Sequence, residues 1–104
     1  MYRSQRLRQH EVLRALCRET HLVPDQFVLP LFVRGGTNVR APIPSLPGQV
    51  QHSVDQLVKA CRVLNAHGVR AVLLFGHAEQ KDERASGAWA EDGIVQQAVR
   101  ALKA

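Results

Sequence analysis

Two cysteines in 104 residues, with no C-x-x-C pair, leave no disulfide framework and no thiolate zinc knuckle to read. Cys17 and Cys61 fall at apolar positions of helical patterns, which predicts reduced, buried thiols. The five histidines, His10, His21, His52, His67 and His77, lack any H-x-x-x-H or H-x-x-H spacing, so no metal site is expected. Long apolar runs are missing too. The stretch Ala71 to Phe75 is far too short for a bilayer. No apolar block of about 7–15 residues follows the first charges, which excludes a secretory signal. Glu11 and Glu19 argue against an organelle transit peptide. No membrane association is expected, and the cytoplasm is the default location.

Catalytic signatures are equally scarce. Gly35-Gly36 follows a strand pattern without G-x-G-x-x-G or G-x-x-x-x-G-K-[ST]. There is no G-x-S-x-G elbow. Only Lys59, Lys81 and Lys103 could supply an amine. Lys81 is placed on a loop after a strand, but it adjoins Asp82 and Glu83. A Schiff-base lysine needs a dry pocket that lowers its pKa. A solvated role is expected instead, and Asp25, Ser45 and His77 read as turn or loop residues.

What the chain does have is positive charge at one end. The net charge is +5, and seven of fourteen basic residues (Arg3, Arg6, Arg8, Arg14, Arg18, Arg34, Arg40) lie in the first 40 positions. Such clustering is the electrostatic footprint of a nucleic-acid binder. Aromatics amount to only 5%, and Tyr2 alone interrupts the basic stretch, so no nucleic-acid partner is expected. A basic arm that docks on another subunit would look the same.

The apolar pattern supplies the rest. Val12, Leu13, Leu16 and Cys17 give a narrow stripe and predict a helix over Leu7–Glu19. A lone helix of that length is marginal in water and needs a surface to lie on. Residues Phe27–Val33 read as a doubly buried strand, with Pro30 marking a bulge or entry point. Residues 35–52 hold Pro42, Pro44, Pro47 and Gly48, predicting a stiff loop without regular structure. Ser53 and Gln56 form a capping box ahead of Val54, Leu57, Val58, Cys61 and Leu64, a helix that Asn65 and Gly68 should end. Val69–Gly76 is a second buried strand, completing a βαβ unit with right-handed crossover. A polar loop over His77–Glu91 precedes a third helix from Asp92 or Gly93, carrying Ile94, Val95, Ala98, Val99 and Leu102. The fold class is α/β: an arm over residues 1–24, then β-α-β-α over 25–104. Two strands cannot enclose one another, so neighbours are expected that the sequence does not contain. An isolated chain with such uncovered faces is expected to aggregate or be partly molten.

In order, RLRQHEVLRALCRETHL, DQFVLPLFV, PIPSLPG, GVRAVLLFG and KDERASGAWAEDGIVQQAVRALK are similar to the start of porphobilinogen synthases (delta-aminolevulinic acid dehydratases). The resemblance spans nearly the whole chain. It implies the first two β/α units of a TIM barrel that takes about 250 residues, with an arm embracing a neighbour in a homo-oligomer, usually an octamer. It implies condensation of two 5-aminolevulinate molecules to porphobilinogen through lysine Schiff bases, with zinc or magnesium in the full-length family. The family's catalytic lysines, zinc cysteines and carboxylate clamps have no counterpart here. No catalytic, substrate-binding or metal residue carries over, and the chain alone is expected to be inactive. Arg6, Arg8, Leu13 and Leu16 match the oligomer-contact arm. The alternatives are a stand-alone basic binding module and a subunit-interaction piece.

Overall fold

A computed structural model describes residues 4–104. Arg3 and Tyr2, counted in the basic stretch, lie outside the described residues. A 3-10 turn at Arg6–Arg8 leads into helix α1, Glu11–Leu16. A second 3-10 turn at Pro24–Gln26 opens the body. Strand β1 (Val28–Arg34) is followed by two short strands, β2 (Arg40–Pro42) and β3 (Val50–His52). Helix α2 (Val54–Ala66), strand β4 (Ala71–His77), a single-turn helix α3 (Ser86–Trp89) and helix α4 (Ile94–Lys103) complete the order.

These strands form one sheet in the order β2-β3-β1-β4. The long pair β1 and β4 runs parallel, from Val28 opposite Ala71 to Arg34 opposite His77. Strand β3 also runs parallel to β1, at Phe32 and Val33, and β2 lies antiparallel on β3. The loop expected over 35–52 therefore carries two strands, and the sheet has four strands rather than two. Prolines hid them. Pro42 sits on the outermost strand, where a missing N–H costs no ladder bond. Pro30 is not a bulge: it pairs in register with Leu73. Strand β3 reaches only to Phe32 on the other flank, so β1 is an edge beside Pro30.

Side chains alternate across a strand, and this alternation separates the sheet's two faces. Leu31 and Val33 point to one face and are buried against Leu57 of α2 and Ala98 of α4. Leu29, Val72 and Leu74 extend that layer toward Leu64, Ile94 and Val95. Both long helices thus cover the same face. The opposite face carries Val28, Phe32, Leu73 and Phe75, with no element of the described chain laid over it. Leu73 is 52% exposed and Phe75 47%. The strands expected to be enclosed on both faces are covered on one. Phe32 and Phe75, register partners on the open face, stack with centroids 5.5 Å apart. That offset arrangement adds about 0.5–1.5 kcal/mol beyond area burial.

Helix α2 ends as expected, on Gly68 at φ +91°. The Gly68 N–H donates to Asn65 O (3.1 Å) and the Val69 N–H to Leu64 O (3.0 Å), a Schellman pair. A methyl group at Gly68 would also lie 3.2 Å from Pro24. At the other end the capping box does not form. Ser53 makes no cap bond, and its hydroxyl is used elsewhere.

The N-terminal segment stands apart. Helix α1 packs on the 6–8 turn and makes no comparable contact with sheet or helices among the described residues. It is shorter than Leu7–Glu19 because its apolar stripe meets no surface; Val12 and Leu16 are 71% and 77% exposed. Cys17, expected to be buried, is exposed for the same reason. The radius of gyration is 20.5 Å, against about 13 Å for a compact chain of this length.

Candidate functional site

Three regions carry side chains with something left to bind. The first is the arm. Arg6 and Arg8 occupy the 3-10 turn and are exposed. Leu13 is half-buried, and Leu16 sits beside exposed Val12 on α1. The structure thus brings the four arm residues together on one projecting segment. Leu7 (60% exposed) joins them. A basic, apolar-striped arm with no comparable partner among the described residues can dock on another surface.

The second region is the loop from Ala78 to Gly93 after the C-terminal end of β4. Lys81 is exposed there, on the rim of a shallow cavity of about 270 Å³ shared with Asp82 and Ser86. Asp82 is committed to the loop. Its carboxylate accepts from the Ser86 N–H (2.8 Å) and hydroxyl, and these bonds hold it below the usual carboxylate range. The Trp89 indole N–H donates to Arg84 O (3.4 Å), and the Gln96 amide donates to Ala88 O (2.7 Å), fastening the loop to α4. Nothing here desolvates the Lys81 amine as Schiff-base chemistry requires. His77 ends β4 in solvent, Asp25 lies in the exposed 24–26 turn, and Ser45 lies in the exposed turn between β2 and β3.

The third region escaped the sequence reading. The segment after β1 is pinned to the start of α2 by a polar cluster. Asn38, at φ +55°, donates its N–H to both Asp55 carboxylate oxygens (3.2 and 3.0 Å). Ser53 Oγ accepts from the Val39 N–H (2.9 Å) and donates to Asp55. The Gln56 amide donates to Asn38 Oδ1. The Ser53 hydroxyl, ahead of the Asn38 N–H, holds Asp55 below its ordinary pKa. Asparagine tolerates the left-handed region better than most residues, so Asn38 after Gly35-Gly36 was the one available signal. The capping-box pattern used the same Ser53 and Gln56 and pointed elsewhere.

Among the described residues no three His, Cys, Asp or Glu side chains converge as a ligand group. Burial pushes the Cys61 thiol up, away from the thiolate a metal requires. The described residues do not fit a resident metal ion. No described helix is long and apolar enough to cross a membrane.

Comparison with known proteins adds the following. A sequence model of the delta-aminolevulinic acid dehydratase family matches residues 1–104. A delta-aminolevulinic acid dehydratase of Ruminiclostridium josui is 45% identical over 101 residues, covering 97% of this chain and 49% of that protein. Those of Streptomyces coelicolor and Methanothermus sociabilis are 41% and 40% identical, each with 32% of its length covered. Among solved structures, the delta-aminolevulinic acid dehydratase (porphobilinogen synthase) of Toxoplasma gondii, in complex with the reaction product porphobilinogen, aligns at TM-score 0.88 and 32% identity. That alignment covers 99% of this chain and 30% of the other. The chain spans from about a third to about half the length of these curated relatives.

Proposed function

The chain belongs to the delta-aminolevulinic acid dehydratase family, and from that premise we propose that it supplies the opening β/α units and the arm of a cytoplasmic porphobilinogen synthase. The reaction is the condensation of two 5-aminolevulinate molecules to porphobilinogen. One observation supports this reading above the others. Both long helices cover one face of the parallel β1–β4 pair, while Val28, Phe32, Leu73 and Phe75 leave the other face apolar and open. A doubly wound sheet would place helices on both faces. A β/α barrel places them all outside and fills its interior with such side chains.

On this reading the described residues build and support the site rather than react. The Asn38–Ser53–Asp55 cluster and the Asp82–Ser86 bonds both fix loops beyond the C-terminal ends of β1 and β4, the end where barrel enzymes bind substrate. Lys81 remains a solvated cation. The arm, through Arg6, Arg8, Leu13 and Leu16, contacts a neighbouring subunit in a homo-oligomer of octameric type. A subunit-interaction role for the arm is favoured by its exposed apolar stripe, with or without turnover.

The test joins residues 1–104 to the remaining two-thirds of the Streptomyces coelicolor relative and assays porphobilinogen formation from 5-aminolevulinate. The chimera is expected to be active and the 104-residue chain inactive, with or without added zinc or magnesium. Borohydride trapping of substrate on Lys81 in the short chain would overturn this assignment. So would a folded, oligomeric chimera devoid of activity.

A further inference from the structure

Strands β2 and β3 are three residues each, and β3 meets β1 at only two register pairs, against seven between β1 and β4. The hairpin is therefore the least firmly held part of the sheet. At its open end, where β3 leads into α2, lies His52, 7% exposed, opposite Val33 on one side and Arg40 on the other. Its Nδ1 is buried without a hydrogen-bond partner.

We propose that this hairpin is a proton-released latch: neutral His52 closes it onto β1 and α2, and protonation of the ring opens it. The surroundings leave an imidazolium nothing to pair with. From β2 comes Arg40. From α2 come Lys59 and Gln56, which with His52 and Arg40 line a cavity of about 420 Å³ floored by Leu29 and Leu31. From β1 the nearest charge is Arg34, on the opposite face of the sheet, where its guanidinium donates to Gln51 (3.5 Å). Strand β3 contributes no charge of its own. The carboxylate of Asp55 on α2 is occupied by the Asn38 N–H and the Ser53 hydroxyl. Protonation would place a third positive charge in a cavity that Arg40 and Lys59 already line, with no carboxylate among its lining residues.

Burial, and then the Arg40 charge, hold the His52 pKa below its ordinary value of 6.5. The open hairpin, with a freely hydrated ring, therefore takes up the proton first. Closure is fully favoured above pH 6.5 and is lost as the pH falls from there through the lowered pKa of the closed form. Opening frees the flank of β1 at Phe32 and Val33 and empties the groove against α2.

Hydrogen exchange of residues 1–104 carried in the folded chimera, corrected for intrinsic rates, tests the latch between about pH 8 and about pH 5, the range over which histidine changes charge. Amides of residues 40–52 are expected to lose protection severalfold on acidification while β4 keeps its own. His52→Gln should abolish that difference, and Arg40→Gln should reduce it. Equal protection of the hairpin at both ends of the range would overturn the proposal. So would hairpin amides that exchange freely even at high pH, a pH dependence retained in His52→Gln, or a His52 ring titrating at its ordinary value by NMR.

Discussion

Replacing Leu73 with lysine should have opposite consequences in two settings. Leu73 lies on the open face, 52% exposed, between Val28 at 60% and Phe75 at 47%. Full burial of such a side chain is worth roughly 1.5–3 kcal/mol, so each still has about 1 kcal/mol to gain from a cover. Three of them give about 3 kcal/mol on each copy, or about 6 kcal/mol when two such faces meet, against an association cost of about 4–15 kcal/mol, so self-association through this face is weak and shows at high concentration. In the 104-residue chain a lysine at 73 keeps its ammonium in water. Its effect on folding should stay within about 0.5 kcal/mol, as for other surface changes, while association weakens. On the barrel reading proposed above, the same position in the chimera points into the barrel. An unpaired ammonium buried there costs several kcal/mol, a large share of a domain's total of about 5–15 kcal/mol. Sedimentation velocity of the short chain and thermal melting of the chimera read the two effects. A Leu73→Lys chimera that melts with its parent would refute the reasoning, as would a short chain whose self-association ignores the change.

Two other outcomes follow from the packing and the arm. Leu57 is fully buried between β1 and α4, so Leu57→Ala should cost about 2–5 kcal/mol, read as an earlier urea midpoint with little change in slope; a loss below about 1 kcal/mol would mean that α2 is not seated on this face. Introducing Leu13→Asp and Leu16→Asp together in the chimera should leave its melting unchanged at the level of single subunits but shift light scattering to smaller assemblies, whereas an unaltered assembly would remove the arm from the contact.

Much of the helix and strand order was legible because its signals are local. The spacing of Val54, Leu57, Cys61 and Leu64 marks α2, Gly68 supplies the left-handed stop, and the apolar runs mark β1 and β4. The family resemblance rested on residues in order and needed no coordinates. What the sequence reading missed depends on partners distant in the chain. Proline content hid β2 and β3, since only their place in the sheet makes Pro42 an edge residue. A stripe of apolar residues predicts a helix but not what covers it, so Leu7–Glu19 contracted to Glu11–Leu16 and Cys17 came out exposed.

The sequence by itself determined the α/β alternation and the basic arm, because propensity, periodicity and charge are written residue by residue. The tertiary structure alone decided which face of the sheet the helices cover, that Ser53 and Asp55 hold the segment after β1, and that His52 is buried beside Arg40. Those outcomes are set by register between strands and by packing across long separations, which no local pattern encodes.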